Sequence, residues 1–264
     1  MHLGNKKGIS LALTAALVLS AATVVHAAGW GTIKGQVVWD GGAVPKPVEI
    51  KVDKDKDHCL SKGAIYKEDN TFVVNPKNKG VRWAVVYLMS EEGFSKPIPI
   101  HPALKNFKKV VEVDQPCCKF EPHVLALQEG QTLLVKNSAP IVHNVNVQGG
   151  TLGPSVNPIL PAGRSLKLDD IKARQLPISI SCSIHGWMAG KVFVLKNPYF
   201  AVTDEDGKFE IKNAPAGKFR LVIWQEGMGW VVGDKGPSKK GKSITIKAGA
   251  TNDLGKIPVK PSKD

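Results

Sequence analysis

From Gly31 onward, apolar and polar residues alternate in short runs, and most runs end in a turn signal. Gly31-Thr-Ile-Lys-Gly-Gln-Val-Val-Trp-Asp40 alternates and then meets Gly41-Gly42, a strand entering a turn. The same rule predicts strands at Val48–Val52, Val81–Leu88, Val124–Leu127, Thr132–Lys136 and Val142–Val147. It continues through Ser165–Leu168, Ile178–Ser181, Gly190–Leu195, Phe209–Ile211, Phe219–Trp224, Ser243–Ile246 and Leu254–Val259. Gln128–Gln131, Asn137–Pro140, Asp204–Gly207 and Ala214–Gly217 supply turn residues between them. The runs are too short for amphipathic helices, and no long helical period follows the N-terminus. The expected class is all-β.

The N-terminus departs from this pattern. Lys6 and Lys7 precede an apolar run from Ile9 to Val25, and Val25-His26-Ala27 fits a small-residue cleavage site. Residues 1–27 are therefore expected to be a signal peptide, with a mature start near Ala28 and a periplasmic or extracellular product. An uncleaved anchor is the rival reading. No other segment is long and apolar enough to span a bilayer as a helix. The 264-residue chain carries a formal net charge of +13. A basic surface suits an acidic redox partner, an anionic membrane or nucleic acid, and export argues against the last. The densest basic run, Lys235–Lys247, reads as a solvated loop and a lysine-protected strand edge.

One loop concentrates chemistry. Ser181-Cys-Ser-Ile-His-Gly-Trp-Met188 holds a thiolate, an imidazole and a thioether, and a second imidazole, His143, lies upstream beside Asn144. Two nitrogens, one thiolate and a weak axial thioether are the donor set of a blue-copper electron-transfer site. Such a set suits both copper oxidation states, so little rearrangement accompanies the change between them. Zinc could take the same nitrogen and sulfur donors, but methionine is a poor zinc ligand. Taken singly, an exported Cys is usually half of a disulfide and a Met beside a Trp is usually core packing. The metal ligands expected are His143, Cys182, His185 and Met188.

Three cysteines remain: Cys59, Cys117 and Cys118. The simplest arrangement is one disulfide from Cys59 to Cys118 or Cys117; a vicinal Cys117–Cys118 bridge is more strained. A second metal site of His58, Cys59, Cys118 and His123 is the alternative, though no tight ligand spacing supports it.

Two family resemblances attach to these stretches. Gln128-Glu-Gly-Gln-Thr-Leu-Leu-Val-Lys-Asn137, the His143-Asn144 pair and the Cys-x2-His-x2-Met-x-Gly loop from Cys182 to Gly190 resemble the cupredoxins of plastocyanin and amicyanin type. Gly186 stands where amicyanin-like loops carry Pro, and Ser181 where an aromatic residue is usual. The resemblance implies a Greek-key β-sandwich over 109–196 holding one type 1 copper. It also implies that Asn144 ties the ligand loops together. The edge of His185 is then expected at the surface in an apolar patch, with Trp187 in the electron port. Thr203–Ile211 followed by Ala214–Val222, together with Gly31–Val37 upstream, resembles the carboxypeptidase regulatory-like domains, which are small transthyretin-like sandwiches. The implied organisation is such a sandwich over 29–105 and 197–260, with the cupredoxin unit inserted.

The function expected is a carrier of single electrons between redox proteins, not an enzyme. Copper oxidases and nitrite reductases of this resemblance normally need a second copper centre with several further histidines. After signal removal only His58, His101, His123, His143 and His185 remain. A metal-free structural module of the envelope and a copper storage or delivery protein are the alternatives.

Overall fold

The computed structural model describes residues 1–2, 29–63, 69–106 and 108–260. All but Met1 and His2 of the expected signal peptide lies outside these residues. Among the described residues the protein is nearly all-β, with eighteen strands and one four-residue α-helix, Lys56–Cys59. No described helix is long and apolar enough to cross a membrane.

Trp30–Trp39 is the centre of a three-stranded sheet, antiparallel to Lys208–Pro215 and parallel to Thr251–Val259. A second sheet runs in the order Phe200–Val202, Val85–Met89, Gly217–Gln225, Gly229–Trp230, with Lys242–Ile246 also paired to Gly217–Gln225. Ile33, Val37 and Trp39 from the first sheet meet Val86, Leu88, Leu221 and Ile223 from the second in one core. Alternate residues on a strand face opposite ways, so the period-2 pattern of the sequence becomes this inward face.

A second pair of sheets lies between these segments in sequence. One has the order Ser165–Leu168, Thr132–Lys136, Val110–Val113. The other has the order Val124–Gln128, Ala189–Leu195, Ile178–Ser181, Asn146–Gln148, Ser155–Val156. Leu133 and Val135 of the first pack with Leu125, Leu127, Ile178, Ile180, Val192 and Val194 of the second.

The two pairs meet through a third core. Val85, Tyr87, Met89, Val222 and Trp224 face Val124, Phe193 and Leu195. Phe193 and Trp224 meet edge to face at 4.9 Å. This accounts for the unbroken apolar runs Val85–Met89 and Val192–Leu195: their residues alternate between two cores, so neither face is polar.

Three expected strands differ. Val48–Val52 forms no strand: only Glu49 makes a bridge, and Val48 is exposed while its carbonyl accepts from Asp69 N at 2.8 Å. Among the described residues no named strand pairs along this run, and of its apolar residues Val52 packs against the second core while Val48 stays exposed. The predicted Val81–Leu88 strand begins only at Val85, because Trp83 adopts a left-handed backbone (φ 64°) that breaks the extension. Val142–Val147 splits at Val145: His143–Asn144 pairs with Ile159–Leu160, and Asn146–Gln148 pairs with Ile178–Ser181. The split carries the chain from one sheet to the next and leaves His143 at the junction.

Candidate metal centre

Ile178–Ser181 and Ala189–Leu195 are antiparallel neighbours, with Ser181 opposite Ala189. The loop joining them is folded tightly: Met188 N donates to His185 O at 2.8 Å, and Cys182 N donates to Met188 O at 3.1 Å. A Cβ on Gly186 would meet nothing within 4 Å, so the space beside that Cα is open.

This loop brings Cys182 and His185 against His143. Cys182 Sγ lies 3.7 Å from His143 Nδ1 and 3.8 Å from His185 Nδ1, and the two Nδ1 atoms are 3.0 Å apart. A point equidistant from the three lies about 2 Å from each, which is metal–nitrogen bonding distance and slightly short for a metal–sulfur bond. All three side chains are buried. Met188 is buried in the same core. Burial, reinforced by the neighbouring His185 and His58 rings, pushes the His143 imidazole down to about 4, so it is a neutral donor at neutral pH.

That shift makes a prediction for the metal-free protein. The unfolded chain takes up a proton on His143 near the ordinary histidine value of about 6.5, whereas the folded chain resists until about 4. The unfolded state therefore binds more protons between these values, and stability falls as pH falls through that window. Urea midpoints measured across it should decline, and His143→Gln should flatten the decline. An equally steep profile in the variant would assign the effect to other groups.

Asn144 fastens the two ligand segments together. Its Oδ1 accepts from Ser183 N at 2.6 Å and from Ile184 N at 3.1 Å. Its Nδ2 donates to Asn157 Oδ1 and to Ser183 Oγ, and its backbone N lies 3.5 Å from Cys182 Sγ. Asn144→Ala leaves two loop N–H groups without this acceptor, and a cost of about 1–3 kcal/mol is expected in denaturant unfolding. A loss below about 0.5 kcal/mol would show that the loop holds itself.

The structure corrects one expectation. His185 is fully buried, and its edge does not reach the surface in an apolar patch. Its Nε2 instead lies 2.8 Å from Asp55 Oδ2, within hydrogen-bond distance of a carboxylate that accepts. Asp55 comes from the charged segment before the Lys56–Cys59 helix, outside both ligand stretches. The sequence reading did not include it. Trp187 is half-buried, its ring 5.3 Å from that of His185, and its Nε1 donates to Cys118 O at 3.2 Å.

Cys59 and Cys118 form a disulfide, and Cys117 and Cys182 are free and buried. The alternative second metal site is not built, since the bridge takes both of its thiols. Of its other members, His123 lies elsewhere: its Nε2 is 2.7 Å from Glu226 Oε2, and Glu226 Oε1 meets Lys191 Nζ at 3.3 Å. Cys117 Sγ lies 3.2 Å from His58 O. His101 caps a short helical turn far along the chain, accepting from Ala103 N.

Comparisons with known proteins give partial likenesses. A family profile described as polysaccharide lyase family 4, domain II, matches residues 189–254. This stretch includes most of the segment that resembled the carboxypeptidase regulatory-like domains, and the matching description is a different one. No curated protein matches the chain. Among solved structures, a reduced tryptophan-to-tyrosine mutant of amicyanin is 25% identical over 41% of this chain and 97% of its own, with a TM-score of 0.30. A purple cupredoxin from Nitrosopumilus maritimus is 21% identical over 31% of this chain and 97% of its own, with a TM-score of 0.27. A copper-containing nitrite reductase from Thermus scotoductus is 22% identical over 37% of this chain, with a TM-score of 0.31, and the match spans 27% of the reductase.

Proposed function

We propose that this protein is an exported carrier of single electrons that holds one copper ion at His143, Cys182 and His185, with Met188 as a weak fourth contact. The observation that carries the proposal is the convergence of one Sγ and two Nδ1 atoms, 3.0 to 3.8 Å apart, in a buried pocket. A copper ion held there supplies a one-electron couple. The residues do the rest. Asn144 and the backbone bonds of the 182–188 loop fix the donors before any ion arrives. The surrounding core of Val145, Leu160, Ile180 and Met188 excludes water.

Carriage is favoured over catalysis by the scarcity of further ligands. Among the described residues the other grouping of metal donors includes the two disulfide sulfurs, which are not free to bind. The partners proposed are redox proteins, with acidic faces suited to the basic surface. The cupredoxin-like unit over 109–196 is proposed as an insertion between the two parts of the outer sandwich.

The test is a visible spectrum and a voltammogram of the copper-loaded protein beside Cys182→Ala. An intense band at about 600 nm and a reversible wave support the carrier. A band without reversible cycling supports storage or delivery instead. A protein that binds no copper overturns the proposal in favour of a structural module.

A further inference from the structure

We infer that Asp55 is a positioning residue of the metal centre, reaching it from a segment that belongs to neither ligand stretch. The inference rests on the copper reading of the site and names a part of it that the ligand motif does not contain.

Asp55 occupies the position before the Lys56–Cys59 helix, where an aspartate side chain ordinarily accepts from a backbone N–H of the first turn. It makes no such bond. The helix is closed by backbone alone, with Asp55 O accepting from His58 N at 3.1 Å and Cys59 N at 2.9 Å. The carboxylate points instead to His185 Nε2, 2.8 Å away across a sequence separation of 130 residues. Asp55 also has φ 45° and ψ 41°, a left-handed backbone that side chains adopt at a cost, aspartate less than most. A residue held in that conformation, with its capping role unused, is placed by its surroundings for its outward contact.

The surroundings are on hand. Four residues on, Cys59 is bonded to Cys118, and the ligand atoms of Cys59, Cys118 and His185 lie within 4.8 Å of one another. Trp187 covers the adjoining side of the His185 ring and bonds to the carbonyl of Cys118. The charged segment is thus fastened over the outer edge of His185, and Asp55 is the group it presents there.

Two effects follow from a carboxylate on the far nitrogen of a ligand imidazole. It fixes the ring and its tautomer, aiming Nδ1 at Cys182 and His143, and it makes that nitrogen a stronger donor. A negative charge one ring away also favours the more highly charged oxidation state, which lowers the reduction potential.

The experiment compares the wild type with Asp55→Asn, Asp55→Gly and Asp57→Asn. Glycine removes the carboxylate and accepts the left-handed backbone, so lost contact is separated from backbone cost. Asp57→Asn removes the same charge from the same helix at a side chain that makes no bond to His185. Copper affinity is read against a competing chelator, the potential by voltammetry, and the His185 Nε2–H signal by nitrogen-15 NMR of the metal-free protein.

Both Asp55 variants should keep the band that depends on Cys182. Each should bind copper about 10–100-fold more weakly and show a higher potential. Asp55→Gly should lose the slowly exchanging Nε2–H signal, and Asp57→Asn should match the wild type. Unchanged affinity and potential in both Asp55 variants, or an equal shift in Asp57→Asn, overturns the inference. A wild type that binds no copper fails the carrier reading separately. The Nε2–H signal still decides the matter then, because its persistence in Asp55→Gly overturns the placement of Asp55 without any metal.

Discussion

Cys182→Ala is expected to abolish the absorption at about 600 nm and to weaken copper binding by well over 100-fold, beyond the loss that a supporting residue gives. Cys182 is the only thiol in the triangle with the two Nδ1 atoms. The other free thiol, Cys117, is packed against the carbonyls of His58 and Cys59. No second sulfur is therefore placed to replace Cys182 as a strong donor. The metal-free variant should remain folded, since deleting one buried sulfur costs about 1 kcal/mol through the small cavity left. The spectrum and a chelator competition check the first part, and a urea titration the second. An intense band surviving in Cys182→Ala would place the thiolate elsewhere and overturn the assignment.

Replacing Cys59 and Cys118 together by alanine is expected to destabilise the metal-free protein by about 4 kcal/mol. The bridge closes a loop with a sequence separation of 59 residues, and the entropy it removes from the unfolded chain corresponds to roughly that figure. The same change frees the helix that carries Asp55, so the His185 contact should loosen as well. Urea midpoints under non-reducing conditions measure the first effect. A drop of less than about 1 kcal/mol would show that packing of the buried Cys59 and Cys118 side chains holds the segment without the bond.

The proposed metal ligands were legible because the chain writes most of them consecutively. Cys182, His185 and Met188 share one loop, and a turn between paired strands preserves sequence spacing as spatial spacing. His143 was legible through its place beside Asn144 on an apolar run. Asp55 was not. It stands in Asp53–Lys62, where charges alternate as on any solvated stretch, and its meeting with His185 is made only by tertiary closure and a disulfide. No local period encodes such a contact. The burial of His185 went unread for the same reason, since the motif describes the loop and not what lies over it.

The all-β class followed from period-2 alternation, yet alternation alone overcalled Val48–Val52. A strand needs continuous pairing, and among the described residues that run has only the single bridge at Glu49. It also missed the break at Val145, where one apolar stretch serves two sheets. The continuous runs Val85–Met89 and Val192–Leu195 carried more than was taken from them. Apolar residues at every position signal burial on both faces, and the third core is what covers the second face.

The central strand Trp30–Trp39 has a temporal consequence. Its sheet partners are Lys208–Pro215 and Thr251–Val259, both far downstream. A ribosome delivers the chain from its N-terminus, so this strand emerges early, and apart from the bridge of its end to Gly80 its edges wait for partners. Among the described residues the strands from Val110 to Leu195 pair only among themselves and can close meanwhile. The intervening unit is therefore expected to close first, and the flanking sheet to be completed only by the last strand to arrive.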